Sequence, residues 1–218
     1  MKGTLGKFYH ALFRAFGPQH WWPGETRFEV VVGAILTQST AWANVEKAIQ
    51  NLKQAGALSA RAMEELPEHR LAELIRPSGY YRQKARKLKA FLAHLRRRHG
   101  GSLARMFGQQ TGLLRRELLE VYGIGEETAD SILLYAGGHP VFVVDAYTRR
   151  ILERHELISP GASYQDLQNL FQREIPRRAP IYNEFHALLV AAGKRHCLRR
   201  EPRCEGCPLE TFPHRRAP

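Results

Sequence analysis

Three stretches of the chain carry residues whose types and spacing could do chemistry. Gly123-Ile124-Gly125 lies between two apolar helical runs, LLRRELLEV and ETADSILLYAG, where the chain must reverse. So tight a reversal needs positive φ or unhindered backbone, which glycine supplies. It also leaves amide N–H groups at the start of the second helix, able to hold a phosphate oxygen without reading sequence. A plain hairpin between packed helices uses the same residues. Asp145 follows the apolar segment PVFVV and opens the amphipathic run AYTRRILERHEL. Aspartate is a preferred N-cap, and a capping carboxylate stays ionised beside helix amides, so an anion held there can also stabilise a developing cation or orient water. Cys197, Cys204 and Cys207 are the only cysteines, clustered near the C-terminus. That is the pattern of a metal or cluster site, not of a disulfide-stapled fold.

Helices must position these groups. Apolar residues recur every three or four positions in runs such as FYHALFRAF, RFEVVVGAILTQ, TAWANVEKAIQNLKQAG and IYNEFHALLVAAGKRHC, which predicts about ten helices. Gly56, Gly100, Pro67 and Pro160 mark boundaries. The best strand candidate, PVFVVD, is too isolated to build a sheet, so the expected class is all-α. No repeat or low-complexity linker divides the chain.

With 218 residues, 44% of them apolar, the chain can bury one large core or two small ones. Lys and Arg outnumber Asp and Glu 33 to 21, a formal charge of +12 that points to a polyanion such as nucleic acid. Residues 82–99 hold eight Lys or Arg and no acid. Leu88, Phe91, Leu92 and Leu95 still form a buried stripe there, so a solvated helix face explains the charge as well as phosphate proximity does. No apolar run approaches the length of a membrane helix, and the N-terminus lacks a signal-peptide core. A cytoplasmic, nucleoid-associated protein without a membrane partner is expected, and nothing suggests an oligomer interface, so a monomer is expected too.

The Gly-Ile-Gly hairpin, the GGHP loop and VD opening a helix, together with AILTQST and the terminal cysteines, resemble the helix-hairpin-helix, Gly/Pro, Asp signature of the endonuclease III superfamily of DNA glycosylases. The resemblance covers most of the chain. It implies a two-lobed fold, with residues 25–135 as a six-helix lobe carrying the hairpin and residues 1–24 plus 136–218 as a second helical lobe with a C-terminal cysteine loop. It further implies double-stranded DNA held across the cleft and a damaged base flipped out between the lobes. Asp145 is then the catalytic aspartate, Gln38 enters the gap left by the flipped nucleotide, and Gly123, Ile124 and Gly125 grip the DNA backbone. Members that also cut the strand use a lysine just after the hairpin to form a Schiff base. Glu127 stands at that position, and a carboxylate cannot form the imine, so hydrolysis without lyase activity is expected.

WWPGETRFEVVVGAILTQST, RPSGYYRQKARKL, GIGEETAD and VVDAYTRR are similar to the bacterial 3-methyladenine glycosylase branch. That likeness implies a base pocket from Trp21, Trp22, Pro23, Trp42, Glu127 and Lys194, although each tryptophan taken singly also fits a core. An alkylated purine is cationic, stacks on indole and has a weakened glycosidic bond, so a stacking slot and one carboxylate could suffice. Uracil, thymine-mismatch or adenine excision on the same fold, and a non-catalytic DNA-binding module, are the alternatives. The six-then-two cysteine spacing matches the first three ligands of the endonuclease III [4Fe-4S] loop, but Pro213 stands where the fourth cysteine would be. His214 is next and can replace cysteine on iron. Zinc, or no metal, is the alternative to the cluster.

Overall fold

Side-chain oxygens start five of the helices. Thr26, Ser59, Ser102, Asp145 and Ser163 each accept a hydrogen bond from the backbone amide three residues on, and Ser163 completes a capping box with Asp166. The computed structural model describes residues 3–215. Among these there are twelve α-helices and no strand. They are α1 (Thr4–Phe16), α2 (Arg27–Leu36), α3 (Trp42–Gln54), α4 (Ala60–Glu65), α5 (Glu68–Leu74), α6 (Tyr81–His99), α7 (Leu103–Phe107), α8 (Thr111–Leu119), α9 (Glu126–Ser131), α10 (Ala146–Arg154), α11 (Tyr164–Glu174) and α12 (Ala179–Arg195). A 3₁₀ turn, Arg76–Ser78, precedes α6, and a π-helical turn, Ile132–Ala136, continues α9.

Backbone contacts divide the chain into two units, Trp22–Gly138 and Met1–Trp21 with His139–Pro218. In the first, α2 is apolar almost all round and buried from Phe28 to Leu36, as a central helix must be. Its one acid, Glu29, is 7% exposed and pairs with Lys53 at 3.1 Å.

Much of the charge on α6 is spent inside this unit. Lys84 is 2% exposed and donates to the carbonyls of Leu36 (2.9 Å) and Ser78 (2.6 Å). Lys89 donates to Met63, Glu64 and Leu66 carbonyls at the end of α4, and Arg96 pairs with Glu64 at 3.2 Å. Both lysines occupy orphan carbonyls that a helix C-terminus leaves without partners.

In the second unit Phe142, Phe171, Tyr182 and Phe185 are fully buried, with the Phe142 and Phe171 rings stacked 3.6 Å apart. The strand candidate PVFVVD is not a strand. Two of its backbone groups are met by side chains instead: Gln168 donates to the Phe142 carbonyl (2.8 Å) and the Val144 amide donates to the Tyr164 hydroxyl (3.2 Å). With those partners a buried extended segment needs no neighbouring strand.

Candidate active site and cluster loop

The hairpin spans residues 120–125. Its geometry rests on Gly123, whose φ is 78° and whose missing Cβ leaves room for the Lys87 chain. Gly125 has φ −92° and is held to glycine by neither conformation nor neighbours. Ile124 points its side chain into the core, 5% exposed, while its amide closes the turn onto the Val121 carbonyl (3.1 Å). Arg115 on α8 grips the buried Asp130 on α9 through two bonds, 2.7 and 3.1 Å, and fixes the helix pair. The first amides of α9 have no intrahelical partner, as at any helix start.

Gln38 is tied to this hairpin. Its amide donates to the Gly123 carbonyl (3.0 Å) and the Thr128 hydroxyl (2.9 Å), and its oxygen accepts from Lys87. The next residue, Ser39, has φ 52°, and Tyr80, at the start of α6, has φ 45° and is 69% exposed. Non-glycine residues in this region cost energy and gather at functional surfaces. Tyr80 gave no signal in the sequence beyond its place in GYYRQK.

Trp22, Trp42 and Tyr135 form an aromatic cluster. The Trp22 ring meets Trp42 edge-on at 5.1 Å and Tyr135 at 5.2 Å, and it lies against Gly33, where a Cβ would come within 3.2 Å. The Trp42 indole N–H donates to Glu46 (2.6 Å). Tyr135, which sequence reasoning missed, is delivered by the π-helical turn, whose extra residue per turn re-aims side chains relative to an α-helix. Pro23 and Glu127 are exposed, Glu127 in the first turn of α9.

The second unit holds the remaining residues. The Lys194 ammonium lies 5.9 Å from the Trp21 ring centre, a cation–π pair at the end of α12. Asp145 caps α10, accepting from the Thr148 amide at 2.7 Å, and its other oxygen lies 3.6 Å from Nε2 of His186 on α12. The Asp145 side chain is only 13% exposed. Burial works against the charged carboxylate, but His186 and the Thr148 amide outweigh it and hold the group below the usual carboxylate range. His186 escaped sequence reading because it sits 41 residues away on an apolar helix face.

Cys197, Cys204, Cys207 and His214 line one pocket with Arg154, His155 and His196. Burial, with the charges of Cys197 and Cys204 beside it, pushes the Cys207 thiol up. Thiols so arranged favour a cation among them. The tail is strapped to the end of α10 by Arg215, whose amide donates to the Arg154 carbonyl (2.7 Å) and whose side chain pairs with Glu156. His214 Nδ1 meets the Phe212 carbonyl at 2.8 Å, leaving Nε2 buried with no hydrogen-bond partner. His196 Nδ1 is a second such nitrogen in this pocket. A single tetrahedral zinc would draw its sulfurs to within about 4 Å of one another. Three thiols and an imidazole nitrogen are a donor set that iron and zinc both accept.

Residues 32–177 match the family described as HhH-GPD superfamily base excision DNA repair protein. A candidate DNA repair glycosylase of Methanocaldococcus jannaschii is 45% identical over 208 residues, 94% of this chain and 94% of that protein. The H. pylori 3-methyladenine DNA glycosylase, solved bound to 1,N6-ethenoadenine, superposes with a TM-score of 0.75 and 30% identity over 87% of this chain and 94% of that one. A non-covalent endonuclease III–DNA complex gives a TM-score of 0.82 at 22% identity, covering 95% and 92%, a likeness of fold. The chain belongs to the HhH-GPD superfamily of base excision DNA repair proteins.

Proposed function

We propose that this protein is a monofunctional DNA glycosylase that releases alkylated purines such as 3-methyladenine from double-stranded DNA by hydrolysis. The observation that carries the reading is a buried, ionised carboxylate at a helix N-terminus, Asp145, in a chain with Glu127 where a strand-cutting relative has its lysine. Asp145 stabilises the sugar cation that develops as the base departs and orients the attacking water. Glu127 supplies no amine, so no covalent imine forms. Trp22, Trp42 and Tyr135 offer π faces to a cationic base. The likeness to the H. pylori enzyme supports this class of base.

In this reading the hairpin backbone at Gly123, Ile124 and Gly125 and the first amides of α9 hold a DNA phosphate. Gln38, freed from its bonds to the hairpin, fills the gap left by the flipped nucleotide. Cys197, Cys204, Cys207 and His214 hold a [4Fe-4S] cluster. When bound, the cluster is structural and fixes the basic loop containing Arg199, Arg200 and Arg203 for contact with the DNA backbone.

Duplexes with one lesion each, scored separately for base release and for strand cutting before and after alkali, test the reading. Alkylpurine release without direct cutting is expected, together with no adduct on borohydride reduction. Release of uracil or thymine alone, or a trapped adduct, overturns it. Asp145→Asn protein should bind DNA as before and release bases slower by on the order of 10³-fold.

A further inference from the structure

We propose that His94, His99 and Glu117 form a binding site for a divalent first-row transition ion, zinc by chemistry, that clamps α6 to α8. The site lies apart from the cysteine loop, and its argument is independent of the glycosylase reading.

His94 and His99 stand near the end of α6, 5% and 6% exposed. Their Nε2 atoms are fully enclosed and make no hydrogen bond. Both nevertheless converge on one carboxylate oxygen, Oε2 of Glu117 on α8, at 3.7 Å for His94 and 3.2 Å for His99. One ligand atom from each of the three residues fits within 4.8 Å of the others. A tetrahedral ion with bonds of about 2.0–2.1 Å separates its nitrogen and oxygen ligands by about 3.3 Å, close to the spacing found. Two buried imidazole nitrogens facing a carboxylate without a hydrogen bond are costly as they stand. An ion at their meeting point satisfies all three at once. Two imidazoles and one carboxylate are the donor set of zinc sites that keep a fourth position for water, and they lack the sulfur that copper(I) prefers.

The surroundings supply an outer shell. The Gln109 side-chain nitrogen lies 3.3 Å from Oε2 of Glu117 and 3.4 Å from Nδ1 of His99. Coordination through Nε2 places the His99 proton on Nδ1, so the Gln109 amide turns its oxygen there to accept it. The clamp has a mechanical consequence, because α8 runs directly into the hairpin at residues 120–125 and α6 carries Lys87, which is bonded to Gln38. Arg98 at the end of α6 also reaches Glu120 at the end of α8, 3.8 Å away.

The test adds Zn²⁺ or Co²⁺ alone to full-length protein dialysed against a chelator, with bound metal counted per chain. Wild type should bind one more equivalent than Glu117→Gln or His94→Asn, both checked for folding by circular dichroism. Zn²⁺ should raise the melting temperature of wild type and not of either variant. The wild-type minus Glu117→Gln Co²⁺ spectrum should show d–d bands without sulfur-to-cobalt charge transfer. Gln109→Ala should weaken Zn²⁺ binding on the order of tenfold. Equal stoichiometry in wild type and a folded variant, or a difference spectrum dominated by sulfur charge transfer, overturns the site. If neither variant folds, the unaltered protein's Co²⁺ spectrum decides: only sulfur-ligated cobalt there counts against the site, and nitrogen–oxygen bands count for it.

Discussion

His186 Nε2 stands 3.6 Å from Oδ2 of Asp145, on the side of the carboxylate away from the Thr148 amide that bonds Oδ1. The carboxylate is therefore held from α10 by a helix start and from α12 by an imidazole. Each favours the ionised form, against a burial that by itself favours the neutral acid.

His186→Asn removes one of those two supports. The folded-state pKa of Asp145 should rise because burial is then opposed by Thr148 alone. An activity that needs the carboxylate then loses it at higher pH, so the acid limb of the kcat profile moves upward while the rate on the neutral plateau falls less than tenfold. Stability carries the same sign. A carboxylate with a depressed folded pKa adds stability above its unfolded value, and this is lost as pH falls through the folded value. The variant should lose less stability on acidification than wild type. An unmoved acid limb in a folded variant assigns His186 to packing alone.

Lys84 makes the opposite kind of prediction. Burial, with the charge of Lys87 beside it, pushes its pKa down to about 8 from 10.5. Between those values the unfolded chain holds a proton that the folded chain lacks, so this group makes stability rise with pH over that window, by on the order of 3 kcal/mol. Lys84→Met lacks that rise and leaves the Leu36 and Ser78 carbonyls without their donor. Urea melts at pH 7 and pH 10 should show the variant less stable by about 1–3 kcal/mol at pH 7, with the gap wider at pH 10.

What the sequence disclosed follows physical rules that act locally. Helix periods, caps and the glycine at position 123 are written in neighbouring residues, and the all-α class and the hairpin were legible for that reason. Long-range pairings were not. The basic run on α6 read as a face for phosphates or solvent, yet Lys84, Lys87 and Lys89 are committed to carbonyls and to Gln38, partners far away in sequence. The apolar segment PVFVVD read as the best strand candidate because an apolar run cannot tell a ladder from backbone groups met by Gln168 and Tyr164 side chains. Tyr135 and His186 were hidden because an aromatic or a histidine on an apolar helix face looks like core until its neighbours are known. Ile124, chosen for its place between two glycines, turns its side chain inward, and its amide is spent on the Val121 carbonyl.

Trp42 separates stacking from binding. It touches Trp22 edge-on and is anchored through its indole N–H to Glu46. Trp42→Ala should lower alkylpurine release by on the order of tenfold while affinity for undamaged duplex stays within about twofold, and Trp42→Phe should recover most of the loss. Equal losses on damaged and undamaged DNA would instead place Trp42 in the scaffold of α3.

The terminal loop gives the last test, because His214 Nε2 is buried and unpartnered beside three thiols. If His214 completes a cluster, anaerobically purified wild type should carry about four irons and four sulfides per chain, with the broad visible absorbance of a [4Fe-4S] group. His214→Ala should lose iron faster on exposure to oxygen, and Cys204→Ser should hold little iron at all. His196→Ala, which removes the other unpartnered nitrogen in the pocket, should retain its iron. Loss of iron in His196→Ala with retention in His214→Ala would move the fourth ligand to the residue beside Cys197. Stoichiometric zinc in place of iron would reject the cluster.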